Sequence, residues 1–184
     1  MSIVPSYAAF LRGMNVGGHR LTNDELRAHF QALGFAEVAT FRASGNVTFA
    51  ERAAAAPDPD GVRARIEAGL ERLLGYAVPA FIRSHDEVRA IAAHEPFEPE
   101  QLRASAGKPQ VSLLASAPAA GARRAVLAMA TGEDRLAFGE RELYWLPSGG
   151  LLQSPLDLDA IDRLLGVGTR RTKGTIEQIA ARLP

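Results

Sequence analysis

One Arg, one Asn and three Gly stand together in Arg12-Gly13-Met14-Asn15-Val16-Gly17-Gly18. A guanidinium meets a phosphate or carboxylate through two parallel N–H bonds. Glycines let a ligand come close to the backbone and let its N–H groups face inward, and a helix start behind such a loop favours anions. The chemistry these residue types suit is an anion cradle. Arg12 would supply charge, the amides of Val16 to Gly18 would donate, and Asn15 would add a hydrogen bond. The loop is neither a Walker loop nor a G-x-G-x-x-G fingerprint, because the Gly-Lys-Ser/Thr ending is missing and the glycines fall at 13, 17 and 18. A plain strand-to-helix connection explains part of the pattern, with Asn15 capping its own turn and Arg12 paired to a carboxylate. Such a connection needs one or two glycines but gains little from Arg12.

Three further clusters bear on chemistry. Arg42, Gly45, Val47 and Phe49 fit the register of an RNA-recognition strand, but Ser44 and Asn46 hold the two positions whose rings should stack bases. Stacking contributes about 1–3 kcal/mol per base in such proteins, so RNA binding by this face is disfavoured. Ser44 and Asn46 read instead as turn formers, or as polar lining beside the first loop. Near the other end, Thr169-Arg170-Arg171-Thr172-Lys173-Gly174-Thr175 gathers cations where a helix begins, which opposes the helix dipole. An anion would relieve that conflict, with Arg171 as a second clamp; a solvated turn with Thr172 as N-cap is the simpler reading. The four histidines, His19, His29, His85 and His94, show no metal spacing. His29 lies off the apolar stripe of its helix and reads as exposed. No catalytic residue stands out: His19 alone lies beside the glycines as an acid or base, and no nucleophile elbow frames Ser44.

The elements that must position these residues follow from pattern. Tyr7 to Leu11 reads as a buried strand. Thr22-Asn23-Asp24-Glu25 is a capping box that opens a helix with Leu26, Phe30 and Leu33 inward, stopped at Gly34. Strands at 36–41 and 46–50 follow. Asp58-Pro59 then starts a helix with Val62, Ile66, Leu70 and Leu73 inward, ending at Gly75, and 76–82 reads as a strand. Strand, helix, strand, strand, helix, strand is the split βαβ order of a ferredoxin-like sandwich. Ser84-His85-Asp86-Glu87 caps a short helix through Ala93, and His94 to Pro109 reads as a connecting loop. The rhythm restarts with a strand at 111–114, a helix at 118–130 with Val126 and Leu127 inward, and a hairpin of 135–138 with 142–146. Tyr144 and Trp145 should alternate, one in the core and one towards the surface. Ser154-Pro155-Leu156-Asp157 caps a helix with Leu158, Ile161, Leu164 and Leu165 inward, and a C-terminal helix runs from Thr172 to Arg182. The fold class predicted is α+β: two ferredoxin-like (βαββαβ-type) α/β sandwich units packed together, plus a C-terminal helix. The first unit covers 1–93, the connecting loop 94–109 and the second unit 110–184.

Composition narrows the classes. The 21 basic residues equal the 21 acidic ones, so no global charge draws the chain to nucleic acid or membrane. Only Lys108 and Lys173 are lysines. Cysteine is absent, which excludes disulfides and thiolate chemistry. No secretory h-region or long apolar run occurs, and a cytoplasmic protein is the expectation.

Phe10-Leu11-Arg12-Gly13-Met14-Asn15-Val16-Gly17-Gly18, followed by Ser44-Gly45-Asn46-Val47, resembles a bacterial domain-of-unknown-function family, number 1697. The resemblance continues through Tyr144-Trp145-Leu146-Pro147, Gly150, Ser154 and Thr169 to Thr175. It implies two ferredoxin-like units and brings no activity or catalytic residues. Ala43 stands where that family commonly has Gln and Thr172 where it has Asn, so amide contacts at both positions are missing here. Three functions are in play. The first is a protein binding an anionic, phosphate-bearing small molecule through Arg12, Gly13, Asn15, Gly17, Gly18, Ser44, Asn46 and Arg171. The second is an enzyme acting on a nucleotide or phosphorylated metabolite. The third is a partner-binding module that forms a homodimer through an exposed sheet face or the Trp145 region. No metal or named cofactor is implied.

Overall fold

The structure, a computed structural model, describes residues 6–15, 21–42, 45–51, 58–149 and 154–183. The chain forms two compact units, one of residues 1–89 with 179–184 and one of residues 90–178. Each unit holds one four-stranded antiparallel sheet and the element order βαββαβ. Two ferredoxin-like units in an α+β fold are therefore present. Among the described residues no helix is long and apolar enough to cross a membrane.

In the first unit β1 (Ser6–Leu11) leads to α1 (Asn23–Ala32), β2 (Ala36–Thr40) and β3 (Asn46–Ala50). α2 (Pro59–Leu74) and β4 (Ala80–Ser84) follow, and the sheet runs β2-β3-β1-β4. The local chemistry sets the ends. Thr22 and Glu25 cap α1 reciprocally, Asp58 accepts from the Gly61 amide with Pro59 at the helix start, and Gly75 ends α2 in the left-handed region. Tyr7, Ala9 and Leu11 of β1 and Val47 and Phe49 of β3 face Leu26 and Phe30 of α1 and Ile66 and Leu70 of α2. β4 starts later than the expected 76–82 span, because Glu67 accepts from the Ala80 amide at 2.9 Å and the β1 pairing begins there.

His29 departs from its expected exposure. It is half-buried, its Nε2 is fully buried with no hydrogen-bond partner, and it lies where a Cβ at Gly69 of α2 would come within 3.1 Å. The small residue on α2 lets the ring in. Burial, and then the charge of Arg72, push the His29 pKa below its ordinary value. Protonation is therefore easier in the unfolded chain. The first unit should hold its full stability above about pH 6.5 and lose it progressively as the pH falls from there towards the lowered folded value. Urea titrations at a series of pH values should show that slope in the parent and a flatter one in His29→Leu.

The second unit runs α3 (His85–Ala93, begun in the first unit), α4 (Pro99–Ala104), β5 (Gln110–Leu114), α5 (Ala120–Leu127), β6 (Arg135–Phe138) and β7 (Glu142–Leu146). α6 (Leu158–Leu165), β8 (Gly168–Thr172) and α7 (Lys173–Ala180) complete it, with sheet order β6-β7-β5-β8. Ser84 and Glu87 form the expected capping box of α3. α4 occupies the stretch read as loop. Gln101 accepts from the Glu98 amide at 3.0 Å and closes its first turn. Residues 168–172, read as a turn, form a strand paired with β5 from Gln110↔Thr172 to Leu114↔Gly168. Leu127 and Leu164, expected inward, are exposed, while Val126 and Ile161 fill the core with Leu143.

Tyr144 and Trp145 are both buried, against the expected alternation. They do point to opposite faces, but each face has a cover. Tyr144 donates its hydroxyl to the Ile91 carbonyl at 3.3 Å and packs on the His94 ring. Trp145 donates its Nε1–H to Asp134, which is fully buried, at 2.8 Å. Asp134 also accepts from the Ser148 amide at 3.3 Å. Lys173, read as part of a cationic turn, is buried and donates to the Ala92 carbonyl, Glu95 and Glu177 at 2.9, 2.5 and 2.7 Å. Burial alone would lower its pKa, but the bonds to Glu177 and Glu95 outweigh that and raise it.

Candidate functional site

The end of β1 and the β2–β3 turn meet in one corner of the first unit. Leu11 donates its amide to the Gly45 carbonyl at 2.8 Å, and Arg12 donates its amide to the Pro79 carbonyl at 3.0 Å. Gly45 has φ +68°, and a Cβ there would lie 3.0 Å from the Leu11 Cβ, so only glycine brings the turn this close. Gly13 has φ +69° with open space around it. The chain then turns back through Met14, which is buried and accepts from the Tyr76 hydroxyl at 2.6 Å.

The candidate residues divide by what they touch. Arg12 is exposed at the rim of this corner. Asn15 accepts the Leu21 amide on its Oδ1 at 3.1 Å, closing its own loop. Asn46 is buried; its Nδ2 donates to the Phe41 carbonyl at 3.0 Å, while its carbonyl accepts the Phe41 amide. Its side chain holds the turn together. Gly17, Gly18, His19 and Ser44 lie outside the described residues. Arg171 belongs to the second unit, where it pairs opposite Val111 and donates to Thr169 Oγ1 and to the Arg170 carbonyl, each at 2.8 Å. Burial lowers its pKa to about 10, which leaves it charged at neutral pH. Thr172 caps α7, accepting from the Thr175 amide at 3.2 Å.

The N-terminus of α1 adds little positive potential. Its amides are served by Thr22, and its first turn carries Asp24 and Glu25. Bonds from the Thr22 backbone and hydroxyl hold the Glu25 pKa below the usual carboxylate range, so a negative charge already sits there. Two arginines add to the corner instead. Arg42, in the turn at φ +57°, lies 5.3 Å from the Phe41 ring, and Arg182 lies 4.4 Å from the same ring. Sequence reasoning placed Arg42 only in an RNA-binding register and gave no signal for Arg182, which reaches Phe41 from the far end of the chain. Among the described residues no group of three or more His, Asp or Glu could hold a metal ion.

No curated protein matches the chain. One solved structure, described as the structure of conserved bacterial protein SP0830 from Streptococcus pneumoniae, superposes with a TM-score of 0.74. The alignment covers 97% of this chain and 98% of that one at 18% identity, a likeness of fold alone. The family model described as "Protein of unknown function (DUF1697)" matches residues 4–144, and the chain belongs to that family.

Proposed function

We propose that the first unit binds an anionic, phosphate-bearing small molecule at the corner between β1 and the β2–β3 turn. The observation that carries this reading is that Arg42 and Arg182, both exposed, lie against the Phe41 ring, while exposed Arg12 follows Leu11, whose amide bonds the Gly45 carbonyl of the same turn. A guanidinium meets a phosphate through two parallel N–H bonds, which suits a ligand with two negative charges. The Phe41 ring lies within cation–π range of two of the guanidiniums. Gly13 leaves open space beside Arg12 for a ligand oxygen to approach the backbone. In this reading the guanidiniums supply the attraction in place of the helix terminus, which α1 spends on its own capping box.

Thermal melts with inorganic pyrophosphate and with a nucleoside monophosphate test the reading. A ligand at 100 times its Kd adds about 2.7 kcal/mol, seen as a raised Tm. Arg12→Ala and Arg42→Ala should each weaken binding roughly tenfold or more, since a charged hydrogen bond contributes about 1.5–3 kcal/mol. The affinity should also fall with added salt. No shift with either ligand, or a shift that both variants keep, overturns the reading.

A further inference from the structure

A second polar cleft lies wholly within the second unit, with a volume of about 270 Å³. Its lining includes Gln101, Ser105, Gly132, Glu133, Arg135 and Ser148. Glu133, Asp134 and Arg135 are consecutive in the stretch entering β6, the edge strand of its sheet. Asp134 is buried and holds Trp145, while Glu133 and Arg135 are exposed and line the cleft. The Glu133 and Arg135 side chains line it without an ion pair to each other or to any other described residue.

The remaining groups sort by what they have left to offer. The Gln101 Oε1 is occupied by the Glu98 amide, which leaves its NH₂ as the donor. The Ser105 hydroxyl is spent on the Pro147 carbonyl and does not count towards a ligand. The Ser148 hydroxyl leans on Asp134 Oδ2 at 3.5 Å and keeps lone pairs towards the cleft. The lining thus presents a guanidinium and an amide N–H₂ as donors, and a carboxylate and a hydroxyl oxygen as acceptors. A lone anion also meets Glu133 and a lone cation also meets Arg135, so each is opposed by one of the two charges. A molecule with a carboxylate and an ammonium a few bonds apart satisfies both.

We infer that this cleft is a binding site for a small zwitterion of the α-amino-acid class, with the carboxylate on Arg135 and the ammonium on Glu133. The volume admits a free amino acid and excludes a folded partner. The site is independent of the arginine corner in the first unit and stands or falls separately.

Trp145 is the only tryptophan, and its Nε1 rests on Asp134, which stands between the two lining charges in sequence, so its fluorescence reports on the segment that lines the site. L-alanine and L-glutamine, titrated into the full chain, should give a saturable change in Trp145 emission. Propionate and ethylammonium, which carry one charge each, should bind about tenfold more weakly or less well still. Glu133→Gln and Arg135→Gln should each weaken the amino-acid response about tenfold. Both side chains are exposed, so neither change disturbs the core, and an unaltered urea midpoint checks this. A response to propionate or ethylammonium equal to that for L-alanine overturns the inference. So does an unchanged affinity in both variants, or the absence of a saturable response to either amino acid.

Discussion

Phe49→Ala is expected to destabilise the first unit by about 4 kcal/mol, the cost typical of truncating a packed aromatic ring in a core that cannot collapse. Phe49 stands on β3 directly opposite Tyr7 and is buried. Its ring lies 5.8 Å from Tyr7, 5.5 Å from Phe30 and 4.5 Å from Phe35, centroid to centroid. Those rings come from β1, α1 and the residue just before β2, so the cavity would open where the sheet and its first helix join. Far-UV circular dichroism in urea measures the loss. Phe49→Leu, which keeps most of the volume, should lose much less. A loss for Phe49→Ala below about 1 kcal/mol would mean that the aromatic cluster does not hold this core.

Asp134→Ala should cost the second unit about 3 kcal/mol, by a different mechanism. Removing the carboxyl leaves the buried Trp145 N–H without its acceptor and takes the Ser148 amide's partner as well. An orphaned buried donor costs about 1–3 kcal/mol, and here two are affected. Asp134→Asn keeps a carbonyl oxygen for Trp145 and should lose less. Urea unfolding followed by tryptophan fluorescence isolates this unit, since the single tryptophan lies in it. Equal midpoints for Asp134→Ala and the parent would show that the Trp145 N–H finds another partner.

The parts of the fold legible in the sequence are those that local chemistry decides. Thr22 with Glu25 and Ser84 with Glu87 satisfy orphan amides within one turn, and Asp58 accepts from Gly61 while Pro59 has no N–H to satisfy, so the residue types alone announce the helix starts. β8 was not legible. Gly168-Thr169-Arg170-Arg171-Thr172 has no apolar alternation, and its strand conformation comes from pairing with β5, at the sheet edge. α4 is too short to show a period, and Pro96 and Pro99 dominate its surroundings. Leu127 and Leu164 fit an apolar stripe but fall at its margin, where a helix on a sheet meets solvent.

The candidate corner shows the same division. Asn15 and Asn46 bond to backbone groups only six and five residues away, and their turn-forming character follows from their type. Arg12 announced itself beside the glycines. Arg182 could not, because only the folded chain brings it to Phe41.

That long-range contact bears on how the protein is made. Residues 179–184 belong to the first unit, although the whole of 90–178 lies between them and β4. During translation, domains generally fold as they emerge, earliest segment first. Here the earliest unit has its four strands while the ribosome is still reading the second, but it lacks Ile179 and Leu183, both buried in the finished protein, and the Arg182 that sits over Phe41. The second unit, continuous in sequence, can close as soon as residue 178 is released. The unit begun first is therefore completed last, and a nascent chain stalled anywhere in 90–178 carries it without those residues.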